Sequence, residues 1–485
     1  MALTSWIPYA SRRESAFSSA DLSTLFDKIA PDRDRWIRRN RYYYRGLADY
    51  CRFVIPPGSR VLEIGSGTGD LLAAVEPARG LGIDLSPKMV AISRDKYPAM
   101  EFRVGNAEAL DLDEPFDYVI LSDLIGYLHD IEAMFQQLHR VVTPRTRIIV
   151  TYYNYLWEPA LRMGDLLRLK LWTPLQNWLS MSDIENLLYL SGFEVVNTGF
   201  RFLLPKWIPG LSWVANKYLA RLPFLKKLCL TQVLVARSIG GADQEELSCS
   251  VIVPCRNEKG NVEQAVTRTP DMGRNTELIF VEGGSEDGTA AEIERCILTY
   301  PERDIRLLRQ QDGLGKGDAV RRGFAAASGD VLIILDGDLT VAPEDLPKFF
   351  RALALGKGEF INGTRLVYPM ERHAMRLLNL VANKLFSLAF TFLIEQPIRD
   401  TLCGTKVLLK ADYEKIAANR HYFGDFDPFG DFDLLFGAAK LQMRIAEVPV
   451  RYHERTYGTT QIQRFRHGWL LIKMVFFAMR RLKFA

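Results

Sequence analysis

The sequence predicts an α/β protein of two consecutive domains, each folded around a largely parallel sheet. Three observations carry this. The chain has 485 residues, too many for one hydrophobic core, so two or three domains are expected. Short apolar runs alternate with amphipathic stretches along both halves, the pattern of β–α–β units. Between the halves lies SIGGADQEEL, Ser238 to Leu247, a polar, glycine-bearing stretch with an apolar run on either side, which marks a joint. The expected division is residues 1–238, a linker over 239–246, and residues 247–485.

In the first half the expected strands are RVLEIG, GLGID, FRVG, FDYVILS and RIIVTYY, with a helical pattern over Ile131 to Val142 and a last strand TQVLVAR. RVLEIG leads into a turn that places Gly65, Gly67 and Gly69 between a strand and the helical LLAAV. Glycines there let the backbone turn sharply and let a ligand approach it closely. About 20 residues further on, GLGID ends in Asp84, placed to take two ribose hydroxyls. The E-x-G-x-G-x-G spacing differs from the dinucleotide fingerprint G-x-G-x-x-G, which counts against NAD. LSDLIGYLHD, Leu121 to Asp130, follows the fourth strand. His129 in it is either a substrate base or a helix-start or packing histidine. Tyr42, Tyr43 and Tyr44 in RNRYYYRGL either cap a site or pack under a helix.

The second half starts a new sheet with CSVIVPCRN, TELIFVEGG, DIRLLRQ and DVLIILDGD. Pro254, Asn257 and Glu258 end the first of these, and Glu282 ends the second. Gly315, Lys316 and Gly317 lead into a helix, and Asp336 and Asp338 flank a glycine at the end of VLIILDGDLT. A buried strand has no use for acids. Polar groups gathered at the carboxyl ends of successive parallel strands mark the edge where open α/β sheets bind ligands. FGDFDPFGDFDLLF adds Asp425, Asp427, Asp431 and Asp433 between aromatics.

Hydrophobic content of 48% with 25% charged residues reads as globular rather than disordered. A net charge of only +4 excludes a polybasic nucleic-acid binder. Six cysteines, with no C-x-x-C pair among them, argue against structural zinc or a disulfide framework and for a reducing cytosol. The opening MALTSWIPYASRRES lacks the character of a signal peptide, and no apolar run approaches the ~18 residues of a membrane span. Three segments nevertheless mix apolar residues with Lys and Arg: Leu203 to Leu228, Ala374 to Pro397, and the tail HGWLLIKMVFFAMRRLKFA. Such text suits helices lying in a lipid headgroup region. The alternatives are an ordinary core helix for Ala374 to Pro397 and a packed cap over a soluble substrate for Leu203 to Leu228, but three such segments make peripheral attachment to the cytosolic face of a membrane the expectation.

On VLEIGSGTGD, GLGIDLS and GNAEAL, the first half resembles the class I S-adenosylmethionine-dependent methyltransferases along nearly its whole length. The resemblance implies a Rossmann-like sheet and S-adenosylmethionine as cofactor. Glu63, Gly65, Gly67 and Gly69 would cradle its methionine part, Asp84 its ribose, and Asn106 with Ala107 its adenine, while Ser122 and Asp123 would face it. Asn106 stands where many relatives carry Asp. The second half, from about Leu247, resembles the family 2 glycosyltransferases of the GT-A fold. Within them it is most similar to polyprenyl-phosphate sugar transferases of the dolichyl-phosphate mannose synthase type, through VPCRNE, GSEDGT, DGDLT, NGTR, DTLCGTK and RTYGTT in that order. By that resemblance Pro254, Asn257, Glu258, Glu282, Lys316, Asp336 and Arg365 bind a nucleotide-diphosphate sugar. Asp336 and Asp338 hold Mg2+ or Mn2+, and Asp338, Asp433 and Arg455 form the catalytic set with a polyprenyl phosphate as acceptor.

Two departures stand out. Relatives carry D-D-G-S where this chain has Glu282-Gly283-Gly284-Ser285, and their final R-x-Y-G-x-S-K reads Arg455, Tyr457, Gly458, Thr460 and then Gln461, with Arg464 and Arg466 nearby. The two resemblances together imply a bifunctional transferase of a lipid-linked substrate. The alternatives are transfer to a hydroxyl of a soluble glycan or secondary metabolite, or one half serving as a binding module.

Overall fold

The structure is a computed structural model and describes residues 18–167, 169, 177–241, 243–310, 315–365, 377–419, 431–453, 455, 457 and 472–483. The chain divides into two compact units, Met1–Ser238 and Ile239–Ala485.

Among the described residues the first unit holds seven strands: β1 (Arg60–Ile64), β2 (Arg79–Asp84), β3 (Glu101–Val104), β4 (Tyr118–Ser122), β5 (Arg147–Tyr153), β6 (Phe193–Arg201) and β7 (Thr231–Ser238). Their order in the sheet is β3-β2-β1-β4-β5-β7-β6. β1 to β5 run parallel, and β7 lies antiparallel to both β5 and β6. β1, β4 and β5 are almost wholly buried, as strands covered on both faces must be, which is why they read as unbroken apolar runs. Two long helices precede the sheet, α1 (Ser19–Arg39) and α2 (Arg41–Val54), and α3 (Asp70–Ala74) and α4 (Pro87–Lys96) follow β1 and β2. A capping box between Ser18 and Asp21 starts α1 by satisfying amides that have no partner inside the helix. α2 buries Tyr43, Leu47, Ala48, Cys51 and Val54, a stripe at helical spacing.

The described residues of the second unit also hold seven strands: β8 (Cys249–Cys255), β9 (Thr276–Glu282), β10 (Asp304–Arg309), β11 (Val331–Ile334), β12 (Phe360–Thr364), β13 (Lys406–Leu409) and β14 (Ile445–Pro449). They are ordered β10-β9-β8-β11-β13-β12-β14, with β13 antiparallel to its neighbours β11 and β12. Alternate residues feed two cores. Ile252, Ile279 and Leu332 pack on one face, and Val251, Leu278 and Ile333 on the other, the two-residue period of a strand.

Every expected strand forms, within a residue or a few at its ends. The expected helix over Ile131 to Val142 stops at Leu138. β6, β12, β13 and β14 lie outside the expected strands. Most of β6 and β14 is only half-buried, so their apolar runs are broken, and β12 and β13 hold only a few residues each. One apolar segment departs from its expected surface role. Within Ala374 to Pro397 the helix Leu377–Ile394 buries Phe390, Leu393 and Ile394 in the core with Phe432 and Phe436. Among its described side chains Leu385 and Leu388 are exposed. The described part of the tail likewise buries Met474 and Ala478 and exposes Ile472 and Phe476. Among the described residues no helix is long and apolar enough to cross a membrane.

Candidate active sites

In the first unit the carboxyl ends of β1, β2 and β4 meet where the strand order reverses, and a cavity of about 370 Å³ opens there. Gly65 and Gly67 line it with positive φ of 78° and 53°, a conformation that side chains resist. Asp84 closes the floor. Its two oxygens accept the backbone amides of Gly67 and Ser86 at 2.8 and 2.9 Å, so the acid ties the glycine loop to the second strand while it faces the cavity. Burial raises its pKa, and those two amides and Arg33 hold the rise in check. Asn106, Ala107 and Ser122 also line the cavity. The Asn106 side-chain oxygen is taken by the Glu108 amide at 3.0 Å, which leaves its NH2 group to a ligand.

Glu63 and Gly69 stand apart from this wall. Glu63 is buried behind the loop, where its carboxylate accepts the Leu72 amide of α3 at 3.0 Å; burial pushes its pKa up to about 8. A β-carbon on Gly69 would press on Phe102, so this glycine packs the loop against β3. His129 sits exposed at the rim, its amide bonded to Glu108 at 2.5 Å. Of the three tyrosines, Tyr43 and Tyr44 line the cavity. Tyr42 turns away, accepting a hydrogen bond from the Asn216 side chain at 3.0 Å and packing near Trp207.

Residues without a sequence signal of their own complete the cavity. Leu22, Phe26, Ile29, Arg33 and Trp36 line it from α1, and Asp27 and Asp34 pin that helix to the sheet. Asp27 accepts the Ser86 hydroxyl at 2.5 Å and Asp34 accepts the Thr68 hydroxyl at 2.8 Å. The clue lies in spacing: Arg33 is a cation at the i+4 step of an apolar stripe, where a solvated arginine does not belong.

In the second unit Asp336 and Asp338 follow β11, facing the ends of β8 and β9. Lys316 pairs with Asp336 at 2.6 Å. Against the effect of burial, that ammonium holds the Asp336 carboxyl below the usual range. Arg455 bridges Asp338 at 2.6 Å and Glu258 at 2.9 Å. Asp338 also accepts the Thr340 hydroxyl at 2.9 Å. Asn257 adopts φ 56° and accepts the Glu286 amide at 2.9 Å, while Glu282 accepts the Ser285 amide. These contacts join the β8 and β9 loops. Two glycines set the spacing: a β-carbon on Gly337 would come within 2.9 Å of the Pro254 carbonyl, and one on Gly404 would collide with the Asp336 carboxylate.

The structure thus brings together Pro254, Asn257, Glu258, Glu282, Lys316, Asp336, Asp338 and Arg455. Arg365 has a different occupation. Its guanidinium is buried and bound through two hydrogen bonds, 2.7 and 2.9 Å, to the fully buried Asp400, with Tyr452 against its face. Those two donors, Nε and Nη2, brace the wall. Asp433 is half-buried, 3.9 Å from Arg321. Asp425, Asp427, Gly458, Thr460, Gln461, Arg464 and Arg466 lie outside the described residues, as does the side chain of Asp431. Among the described residues no group of three or more His, Cys, Asp or Glu side chains is arranged to hold a metal ion.

Comparison with known proteins agrees with this geometry in both units. Residues 36–198 match the model of a methyltransferase domain, and residues 250–417 match that of glycosyl transferase family 2. The chain therefore joins a methyltransferase domain to a family 2 glycosyltransferase domain. The second part is similar to the dolichol-phosphate mannosyltransferase of Saccharomyces cerevisiae, 38% identical over 109 residues, which are 21% of this chain and 40% of that one. It is also similar to the dolichyl-phosphate beta-glucosyltransferase ALG5C of Trichomonas vaginalis, 29% identical over 43% of this chain and 65% of that one. The first part is similar to the demethylmenaquinone methyltransferase of Chlorobaculum tepidum, 31% identical over 26% of this chain and 57% of that one. The chain spans less than two thirds of each of these three relatives.

Proposed function

We propose that this chain is a bifunctional transferase of a lipid-linked substrate. Its second unit moves a sugar, with inversion, from a nucleotide-diphosphate sugar to a polyprenyl phosphate. Its first unit uses S-adenosylmethionine to methylate the same or a related substrate. The observation that carries the reading is the charged row Lys316–Asp336 and Asp338–Arg455–Glu258 at the carboxyl ends of the second sheet. It sets two fixed cations among three acids on one edge, an arrangement suited to a diphosphate on one side and a phosphate monoester on the other. A guanidinium can grip a phosphate through two hydrogen bonds. Similarity to two dolichyl-phosphate sugar transferases points the same way.

Asp336 and Asp338 offer oxygen donors one residue apart, and the donor's own phosphates would supply further oxygens, so the pair fits Mg2+ or Mn2+. Such an ion would neutralise charge on the leaving diphosphate. The chain's part is to hold that end of the donor between Lys316 and the two acids, and to keep Arg455 in place through Glu258. In the first unit the positive-φ glycines, Asp84 and the Asn106 amide fit a nucleoside with a short charged tail. The cytosolic membrane face is the natural place for both steps, since the segment 203–228 leaves Trp207, Trp213 and Phe224 exposed among Lys and Arg side chains.

The test is transfer from labelled nucleotide sugars to polyprenyl phosphate. A phosphate acceptor arrives ionised, its second pKa being near ~6, so it needs no base. Asp433→Asn should then lower transfer by less than ~10-fold, whereas Arg455→Ala should lower it by ~100-fold or more. The reverse ranking would favour a hydroxyl acceptor and the reading as a transferase of soluble glycans.

A further inference from the structure

The cavity of the first unit contains one carboxylate that neither the glycine loop nor the sheet accounts for. Asp123 follows β4 directly, and its amide is bonded to the Thr151 carbonyl at 2.9 Å. Its φ of 54° is a left-handed conformation that a non-glycine residue adopts only under constraint. The side chain lines the cavity. One oxygen, Oδ2, accepts the Tyr43 hydroxyl at 3.4 Å, and that hydroxyl accepts the Thr231 hydroxyl at 3.3 Å. The other, Oδ1, is buried with no donor in hydrogen-bonding geometry, although the Tyr153 hydroxyl lies close enough to favour the charged carboxylate. A buried carboxylate oxygen without a donor is unfavourable unless a ligand brings one.

We propose that Asp123 is the proton acceptor for methyl transfer to an acidic hydroxyl, phenolic or enolic, on an otherwise apolar acceptor. This rests on the methyltransferase reading given above. In the step, the acceptor oxygen forms a bond to the methyl carbon, the carbon–sulfur bond of the sulfonium breaks with its electron pair left on sulfur, and the hydroxyl proton passes to Asp123 Oδ1. Charge and product are then neutral on both organic partners.

Three features select that acceptor class. Arg33, Tyr43 and Tyr153 face Asp123, with Tyr44 and Tyr127 around Tyr153. Apart from the guanidinium, those neighbours are neutral hydroxyl groups. Arg33 would repel an ammonium and would favour an oxygen gaining negative charge, so a neutral O–H donor fits better than a protonated amine. Much of the remaining wall away from Asp84 and Asn106 is apolar, with Phe26, Leu128, Leu161 and Leu230 among its residues, which suits an acceptor with an apolar body. Finally, burial pushes the Asp123 carboxyl up to about 6, a base strength matched to neutral pH. A phenol, titrating near ~10, lies within its reach in a way an alkanol does not.

The experiment uses the full chain saturated with S-adenosylhomocysteine and two probes of one shape, para-hexylphenol and hexylbenzene. Calorimetry should show the phenol binding ~10-fold tighter or better, the hydroxyl meeting an ionised acceptor. In Asp123→Asn that advantage should shrink to ~3-fold or less. With labelled S-adenosylmethionine, para-hexylphenol should acquire label as an alkali-stable aryl methyl ether, at a rate that rises through pH ~6 and is lowered ~100-fold or more in Asp123→Asn. Tyr43→Phe removes a hydrogen bond to the charged form, so it should move the midpoint of that rise upward. Equal binding of the two probes, or an undiminished hydroxyl advantage in Asp123→Asn, would overturn the proposal. Failure of the unaltered chain to bind S-adenosylmethionine would overturn the methyltransferase reading first, and the proposal with it.

Discussion

Glu63 shows how one residue can be legible as part of a motif and still do another job. It stands in the E-x-G-x-G-x-G pattern, yet it caps α3 from beneath the loop. Its folded pKa, raised to about 8 by burial, exceeds the ~4.3 of an unfolded glutamate. The folded state therefore binds the proton more tightly, and the stability this gives is complete below pH ~4 and lost as pH rises toward ~8. The melting temperature of the chain should accordingly fall across that window. Glu63→Gln keeps an oxygen for the Leu72 amide and should flatten the slope; an unchanged slope in the variant would place the linkage elsewhere. The acids at strand tips, Asp84, Asp336 and Asp338, were readable because a carboxylate after an apolar run has no packing explanation. Gly404 was not readable in that way: its reason for being glycine is the Asp336 carboxylate, far away along the chain. The pairing of Arg365 with the buried Asp400, 35 residues along the chain, likewise left no sign in the sequence.

Among the elements, parallel strands declare themselves and mixed surfaces do not. β1, β4 and β8 are buried on both faces and appear as unbroken apolar runs, whereas β6 is too evenly half-buried to stand out. The same ambiguity governs the apolar segments. The helix Leu377–Ile394 and the segment 203–228 look alike in composition, but the first buries its end in a core while the second leaves Trp207 57% and Phe224 89% exposed. The exposed faces of such side chains add little to the stability of the free chain and gain from a lipid interface. Trp207→Ser with Phe224→Ser should therefore lower the melting temperature only slightly, through the lost Tyr42–Trp207 contact, and reduce co-sedimentation with vesicles rich in anionic lipid by ~10-fold or more. Undiminished sedimentation of the double variant would remove the segment from membrane attachment.

At the scale of the whole molecule, two sheets of seven strands each carry their own core, and each places its polar residues at the carboxyl edge. The two activities should then be separable by reagent. Chelator should abolish sugar transfer, with Mg2+ or Mn2+ restoring it, while S-adenosylmethionine binding persists unchanged; Asp338→Ala should stay inactive at any metal concentration. Full sugar transfer in chelator would remove the cation from the second site. The division into two α/β domains was legible from strand and helix alternation, because burying both faces of a parallel sheet demands it.

The order of strands also dictates what a ribosome must finish first. β6 has a single neighbour in its sheet, β7, and β7 also completes β5. While the stretch between them is still being synthesised, β6 has no ladder to join and the edge of β5 stands open. Both edges are the kind that seek pairing with other chains. A nascent chain thus reaches its safest state in one step, when Ser238 clears the exit tunnel. Any shorter product, whether from a premature stop codon or a misplaced expression boundary, should be recovered as aggregate rather than as a weaker enzyme.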